Sequence, residues 1–193
     1  CEPNQFFIIL FILFMTNNDI HQAFKVLAWI ADSSTSLNKL PFVLVLLSQD
    51  DEYMKLFYEE ILEAFFHDFQ CEKIESHNID AKSLSENLDE KAIYNFHNIS
   101  TPTILDEPAY ELTNRLIHKE KCKINRKNVT TGANILITST SKYIPMINED
   151  VPSAIVEIDS SIDAFCKHID IKPNKNILDK YIQDDFPNFI GIL

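Results

Sequence analysis

The stretch that most constrains the fold runs from Pro41 to Phe69, PFVLVLLSQDDEYMKLFYEEILEAFFHDF. Phe42 to Leu47 is an apolar run of strand length, whereas Met54, Phe57, Ile61, Leu62, Phe65 and Phe66 recur at helical spacing. The segment therefore reads as a buried strand, a short turn and an amphipathic helix beginning just after Ser48. In α/β proteins that bind phosphates, such a junction carries glycines whose neighbouring N–H groups close on the phosphate, and a Lys that neutralises it. Here the junction is Ser48, Gln49, Asp50, Asp51 and Glu52, with no glycine and three adjacent carboxylates. Those charges repel a triphosphate at close range.

The chain has 193 residues, enough for one well-buried core. A hydrophobic content of 46% with 14 Phe supports that core, and the only two glycines, Gly132 and Gly191, argue against all-β folds with many tight turns. The net charge of −12 disfavours the surface as a whole as a nucleic-acid binder. One local exception stands out. From Arg115 to Lys127, RLIHKEKCKINRK, six Lys or Arg residues face the single acid Glu120, and both arginines of the chain, Arg115 and Arg126, lie there. Cys1, Cys71, Cys122 and Cys166 form no C-x-x-C pair and no metal-ligand rhythm with the six histidines, so a reduced thiol set, an intracellular chain and no metal site are expected. Phe6 to Met15 is strongly apolar, but at ten residues it is too short to span a bilayer and lacks the basic flank of a signal peptide. It reads as a strand or helix packed on the domain.

Along the chain, Ile20 to Ala31 is helical, with Ile20, Phe24, Leu27 and Ala31 on one face, Asp19 as N-cap and Trp29 as a core residue. Cys71–Ser76, Ile93–Phe96, Ile104–Asp106, Ala133–Thr138 and Ala154–Ile158 are strand candidates, and Ala81–Ala92 and Ala109–His118 are helical by pattern. The basic stretch, continuing through Asn125 to Gly132, reads as a hairpin or loop. Beyond Ser161 the pattern gives helices at Ser161–His168 and Asn176–Ile182, then a tail. Strands alternating with helices predict a mainly parallel sheet covered on both faces, with functional groups gathered at the carboxyl ends of the strands.

Four segments, PFVLVLLSQDDEYMKLFYEEILEAFF, TPTILDEPAYELTNRLIHKEKCKINRK, ANILITSTSKYIP and VPSAIVEIDSS, together resemble the ATPase domain of superfamily 3 helicases, in particular phage and plasmid primase-helicases. The resemblance is of element order and motif placement over about residues 23–160. It implies a three-layer α/β/α, AAA+-like P-loop core, ring assembly, ATP-driven unwinding and a role in replicating mobile DNA. Its phosphate site would fall on Ser48 and Lys55, its metal-holding and water-activating acids on Asp106 and Glu107, and its polar third motif on Thr140. Its DNA-gripping hairpin would fall on Lys119, Lys121, Lys123, Arg126 and Lys127.

The departures are concentrated in the phosphate chemistry. The loop glycines are missing, Lys55 stands one place late, and Leu56 follows where a Mg²⁺-binding hydroxyl is needed. Ile93–Asn98 offers an alternative strand for the second motif, with His97 and Asn98 in place of the two acids. Where the family carries distal arginines, this chain reads Asp150-Val151-Pro152-Ser153. Losing the phosphate loop and the distal arginines together removes both sources of positive charge on which phosphoryl transfer relies.

The expectation is thus a degenerate helicase-type domain. Residues 1–40 form an apolar segment and helix packed on the core, 41–160 the α/β core and 161–193 a C-terminal helical segment. No cofactor is expected, with ATP and Mg only if the site functions; partners are single-stranded DNA, a replication protein or further copies of the chain. The location is cytoplasmic, without a membrane. Two other readings compete: an active ATPase with an unorthodox phosphate loop, and a protein-interaction module that binds neither nucleotide nor DNA.

Overall fold

A computed structural model describes residues 6–34, 42–66, 71–75, 92–98, 122–124, 127–129, 133–140 and 152–193. Five parallel strands form the central sheet: β1 (Val43–Ser48), β2 (Cys71–Glu75), β3 (Ile93–His97), β6 (Asn134–Ser139) and β7 (Ser153–Ile158), in the order β2-β3-β6-β1-β7. Helices flank the sheet, giving the three-layer P-loop-like α/β fold expected from the sequence. β1 is buried along its whole length, as are β3 and β6. Burial on both faces explains why β1 and most of β6 read as apolar runs rather than alternating ones. β7, at the sheet edge, alternates instead, with Ala154, Val156 and Ile158 buried and Ile155 and Glu157 exposed.

The strand-helix reading around β1 holds. Helix α3 (Asp51–Lys55) continues into a π-helical segment, Leu56–Leu62, and then α4 (Glu63–Phe66). The wider turn has a sequence cause. Buried residues come in pairs four apart, Tyr53 and Met54, Phe57 and Tyr58, Ile61 and Leu62. At 3.6 residues per turn such a stripe drifts around the axis, and a stretch of wider i→i+5 turns brings it back toward the sheet.

The apolar N-terminal run is helix α1 (Phe7–Met15), and Phe7, Ile8, Phe11, Ile12 and Met15 are all buried. Asn17 and Asn18, both left-handed, turn the chain into α2 (Ile20–Ser33), capped by Asp19 as expected. Asn tolerates this conformation better than branched or bulky residues. The expected buried face of α2 is corrected: Ala23, Val26, Trp29, Ile30 and Ser33 face the core, while Ile20 and Phe24 are about 70% exposed. The helix is apolar on more than one side, so periodicity does not fix its rotation. A polar anchor does so: Asn134 of β6 donates to Ser33 Oγ (2.7 Å) and Asp32 Oδ2 (3.1 Å), and Ser33 donates to the Trp29 carbonyl (2.7 Å).

The C-terminal region is also longer in helix than the pattern predicted. α5 (Ile162–His168), capped by Ser161, is followed by α6 (Lys175–Ile190), which runs through the stretch read as a tail and includes Pro187. Pro removes a donor and disfavours helix interiors. Tertiary contacts override that local cost here. Phe186 and Phe189 pack on Phe65, and the buried Asp185 carboxylate accepts from the backbone N–H groups of Phe6 and Ile8, both at 2.9 Å. Asp185 therefore caps α1 from the far end of the chain, supplying an anion where helix α1 presents unpaired donors and has no side-chain cap of its own. Phe165 of α5 lies 5.5 Å, ring to ring, from each of Phe7, Phe11 and Phe14, closing α1 against the C-terminal helices.

The basic stretch contains a two-stranded antiparallel hairpin, β4 (Cys122–Ile124) with β5 (Lys127–Val129), registered Lys123 to Asn128 and Ile124 to Lys127. The helix patterns at 81–92 and 109–118 and the strand candidate at 104–106 lie outside the described residues, Ala92 excepted. Among the described residues, no helix is long and apolar enough to cross a membrane.

The Asp185 cap gives a direct test. Replacing Asp185 by Ala leaves two N–H groups without their acceptor and is expected to cost about 2–3 kcal/mol. Asp185→Asn should lose less, because its carbonyl still accepts one bond. Urea unfolding of the variants checks both, and an unchanged midpoint for Asp185→Ala would show that the cap contributes nothing.

Candidate functional site

The carboxyl ends of β1, β3 and β6 bring together groups far apart in sequence. β1 ends at Ser48 and α3 begins at Asp51, so only Gln49 and Asp50 connect them. Ser48 Oγ accepts the Asp50 N–H at 3.1 Å, and Asp50 Oδ1 accepts the Glu52 N–H at 3.0 Å. The acids of the junction thus do what acids at a helix start ordinarily do, occupying the exposed donors of the first turn. Those donors are the ones a phosphate would otherwise claim.

Asp51 has a close partner on one carboxylate oxygen, while the other, Oδ1, is buried without a hydrogen bond. Its Oδ2 lies 2.8 Å from Lys55 Nζ, one helical turn on, and its Oδ1 faces His97 Nε2 of β3 at 3.9 Å. The hydrogen bond and charge of Asp51 raise the Lys55 pKa. The ring of His97 is buried, with Nδ1 3.0 Å from Thr138 Oγ1 of β6. Thr138 Oγ1 also accepts the Asn98 N–H at 3.2 Å. In the tautomer that carries its proton on Nε2, Thr138 donates to Nδ1 and the imidazole N–H points at Asp51. Asn98, left-handed at φ 51°, ends β3 and accepts from Thr140 Oγ1 at 3.5 Å, while the Thr140 carbonyl accepts from Gln49 at 3.2 Å.

Of the sequence-predicted residues, Ser48 and Thr140 lie near one another at the strand ends. Both line a cavity of about 30 Å³, with Gln49, Glu157 and Asp159 also at its wall. Ligand pockets for small molecules are typically ~300–1,000 Å³. Lys55 does not line this cavity; it is tied to Asp51 on the side of the helix. Asp106, Glu107, Lys119, Lys121 and Arg126 lie outside the described residues, while Lys123 and Lys127 belong to the β4–β5 hairpin. The alternative second-motif strand, Ile93–Asn98, supplies β3 beside β6, with His97 and Asn98 at its end. The pairing of His97 with Thr138 was not legible in advance, since the two are 41 residues apart. Among the described residues, no group of three or more His, Cys, Asp or Glu side chains is placed to hold a metal ion.

No protein-family model matches this chain, and no curated protein matches it. Solved structures do share its fold. The A-form apo structure of the C-terminal region of NrS-1 superposes with a TM-score of 0.61 at 15% identity over 91% of this chain and 44% of that one. The apo structure of the NrS-1 C-terminal region (305–718) gives 0.60 at 14% identity, covering 92% of this chain and 45% of that one. The chain thus spans less than half the length of the solved chains it resembles, and the likeness is one of fold.

Thr138 is the acceptor on which the end of β3 depends. Thr138→Val keeps the shape but leaves the Asn98 N–H without its partner and the His97 ring without its anchor, and should cost about 1–2 kcal/mol. Chemical denaturation measures this, and a neutral effect would show that the β3 end is held by other contacts.

Proposed function

We propose that this chain is a degenerate helicase-type P-loop domain that serves the replication of mobile DNA by binding nucleic acid or a partner protein, without ATP turnover. The observation that carries the reading is the two-residue junction between β1 and α3. A phosphate-binding loop places roughly six residues, glycine at each end, between strand and helix so that successive N–H groups surround the phosphates. Gln49 and Asp50 leave no such loop, and the first-turn donor of Glu52 is already taken by Asp50. The roughly 30 Å³ cavity at the strand ends and the Asp51 carboxylate drawn against Lys55 support the same conclusion. The fold shared with the NrS-1 C-terminal region and the helicase-like motif order support the replication setting.

The binding surface in this reading is the basic stretch around the β4–β5 hairpin, where Lys119, Lys121, Lys123, Arg126 and Lys127 concentrate positive charge in a chain of net charge −12. Repulsion from the remaining acids keeps affinity low, and each phosphate neutralised releases counterions. The purified chain should therefore bind single-stranded DNA weakly, without sequence preference, and progressively less as salt rises. The triple variant Lys121→Glu, Arg126→Glu and Lys127→Glu should abolish that binding while keeping the far-UV circular dichroism of the parent. Absence of binding at low salt, with a destabilised or differently assembled triple variant, would instead assign these side chains to protein contacts.

Catalysis gives the second test. Lacking the amide cradle and a free, correctly spaced Lys, the chain forgoes several kcal/mol of transition-state stabilisation, about the loss from removing oxyanion-type donors. Phosphate release from ATP should remain at background in the presence and absence of DNA. Steady turnover abolished by Glu107→Gln would establish the chain as an active ATPase.

A further inference from the structure

A groove of about 390 Å³ lies between the helical rod that follows β1 and the C-terminal helices, bounded there by Asp163 of α5 and by Pro173 and Lys175 at the start of α6. Its size falls in the range of established ligand pockets. It is lined by apolar side chains, Leu56, Ile162 and Leu178, and by the carboxylates of Glu52, Glu59, Glu60 and Asp163. Two lysines also reach the groove, and both are engaged: Lys55 with Asp51 at 2.8 Å and Lys175 with Glu60 at 3.2 Å. Glu59 has Lys73 at 3.4 Å. Among the described residues, Glu52 and Asp163 have no cation within ion-pair distance, so the walls keep an uncompensated negative charge. A further sign of that excess is Asp179 of α6, whose pKa is raised by burial and then by the charge of Glu60.

An apolar floor beneath acidic walls suits one kind of side chain in particular. Lys and Arg lay their methylene stems along apolar surface while holding the charged head in a polar rim. A bare metal ion gains nothing from Leu56, Ile162 and Leu178, and an anion is repelled by the walls. We propose that this groove is a docking site for a basic segment of a partner protein, in which Lys or Arg side chains alternate with aliphatic ones. The proposal is independent of the reading of the strand ends, because Ser48, His97, Thr138 and Thr140 do not line the groove.

The test uses the full chain and a fluorescein-labelled eight-residue peptide alternating lysine and leucine, with fluorescence anisotropy read at low salt. A control peptide with glutamate in place of lysine should not bind. The double variant Glu52→Gln, Asp163→Asn changes two exposed acids without changing size, and should weaken binding about tenfold, mainly through charge complementarity. Pro173→Arg, also at an exposed position, places a cation in the groove and should weaken binding to a similar degree. Undiminished binding by both variants would overturn the proposal, as would absence of binding by the parent. Displacement of the peptide by an equal concentration of spermidine would overturn it in favour of a site for small polycations.

Discussion

The structure depends on β1 lying inside a parallel sheet, with β6 on one side and β7 on the other. A parallel neighbour is reached only through a crossover, so a chain that pairs β1 on both edges must lay its connections over the faces of the sheet. Both faces of β1 are buried, and its side chains from Val43 to Leu47 are all apolar. Ser48, its last residue, is the first polar side chain after that run, and its hydroxyl is satisfied at once by the Asp50 N–H. The chemistry of the molecule is displaced to the strand ends by the same constraint that makes its core.

The second dependence is on closing α1 against α5 and α6. α1 is among the most apolar segments of the sequence, and left without partners it would expose Phe7, Phe11 and Ile12 to water. Packing against Phe165 and Tyr181 buries that surface, but apolar contacts alone do not satisfy the N–H groups at its start. Asp185 does: its buried carboxylate accepts both N–H groups, and Asn188 of the same helix donates to Oδ1 at 3.3 Å. Phe6, at φ 74°, holds a left-handed conformation unusual for a bulky residue, and its own N–H is one of the two donors to Asp185.

How far the sequence spoke depends on whether the signal was local. β1 and β6 are legible as apolar runs, β7 as a short strand-like segment, and Asp19 by its position before a helical run, because strand burial and capping are encoded within a few residues. The rotation of α2 was not, since Ile20 and Phe24 are as apolar as Val26 and Ile30, and the choice rests on Asn134, 101 residues from Ser33. The length of α6 was missed for a related reason. Asp184, Asp185 and Pro187 look like a terminus until Asp185 is seen to have a partner 177 residues away. At the site, the acidic junction was legible as capping, whereas the grouping of Asp51, His97 and Thr138 is assembled from three elements and has no linear signature.

The junction after β1 also bears on how reversible the proposed loss of phosphate chemistry is. Replacing Asp51 or Glu52 by Gly or Lys would remove repulsion but not lengthen a connection of two residues, and the helix begins immediately after it. Lengthening means either unwinding the first turn of α3 or inserting residues. Unwinding would pull Tyr53 and Met54, both fully buried, out of the core. Removing one large apolar side chain from a core typically costs about 2–5 kcal/mol. Insertion keeps the core but breaks the Ser48 to Asp50 contact within the junction and the Gln49 to Thr140 contact that joins the ends of β1 and β6. Either route works against packing that has formed around the short junction, so on the proposed reading the departure is fixed by the core as much as by the missing glycines.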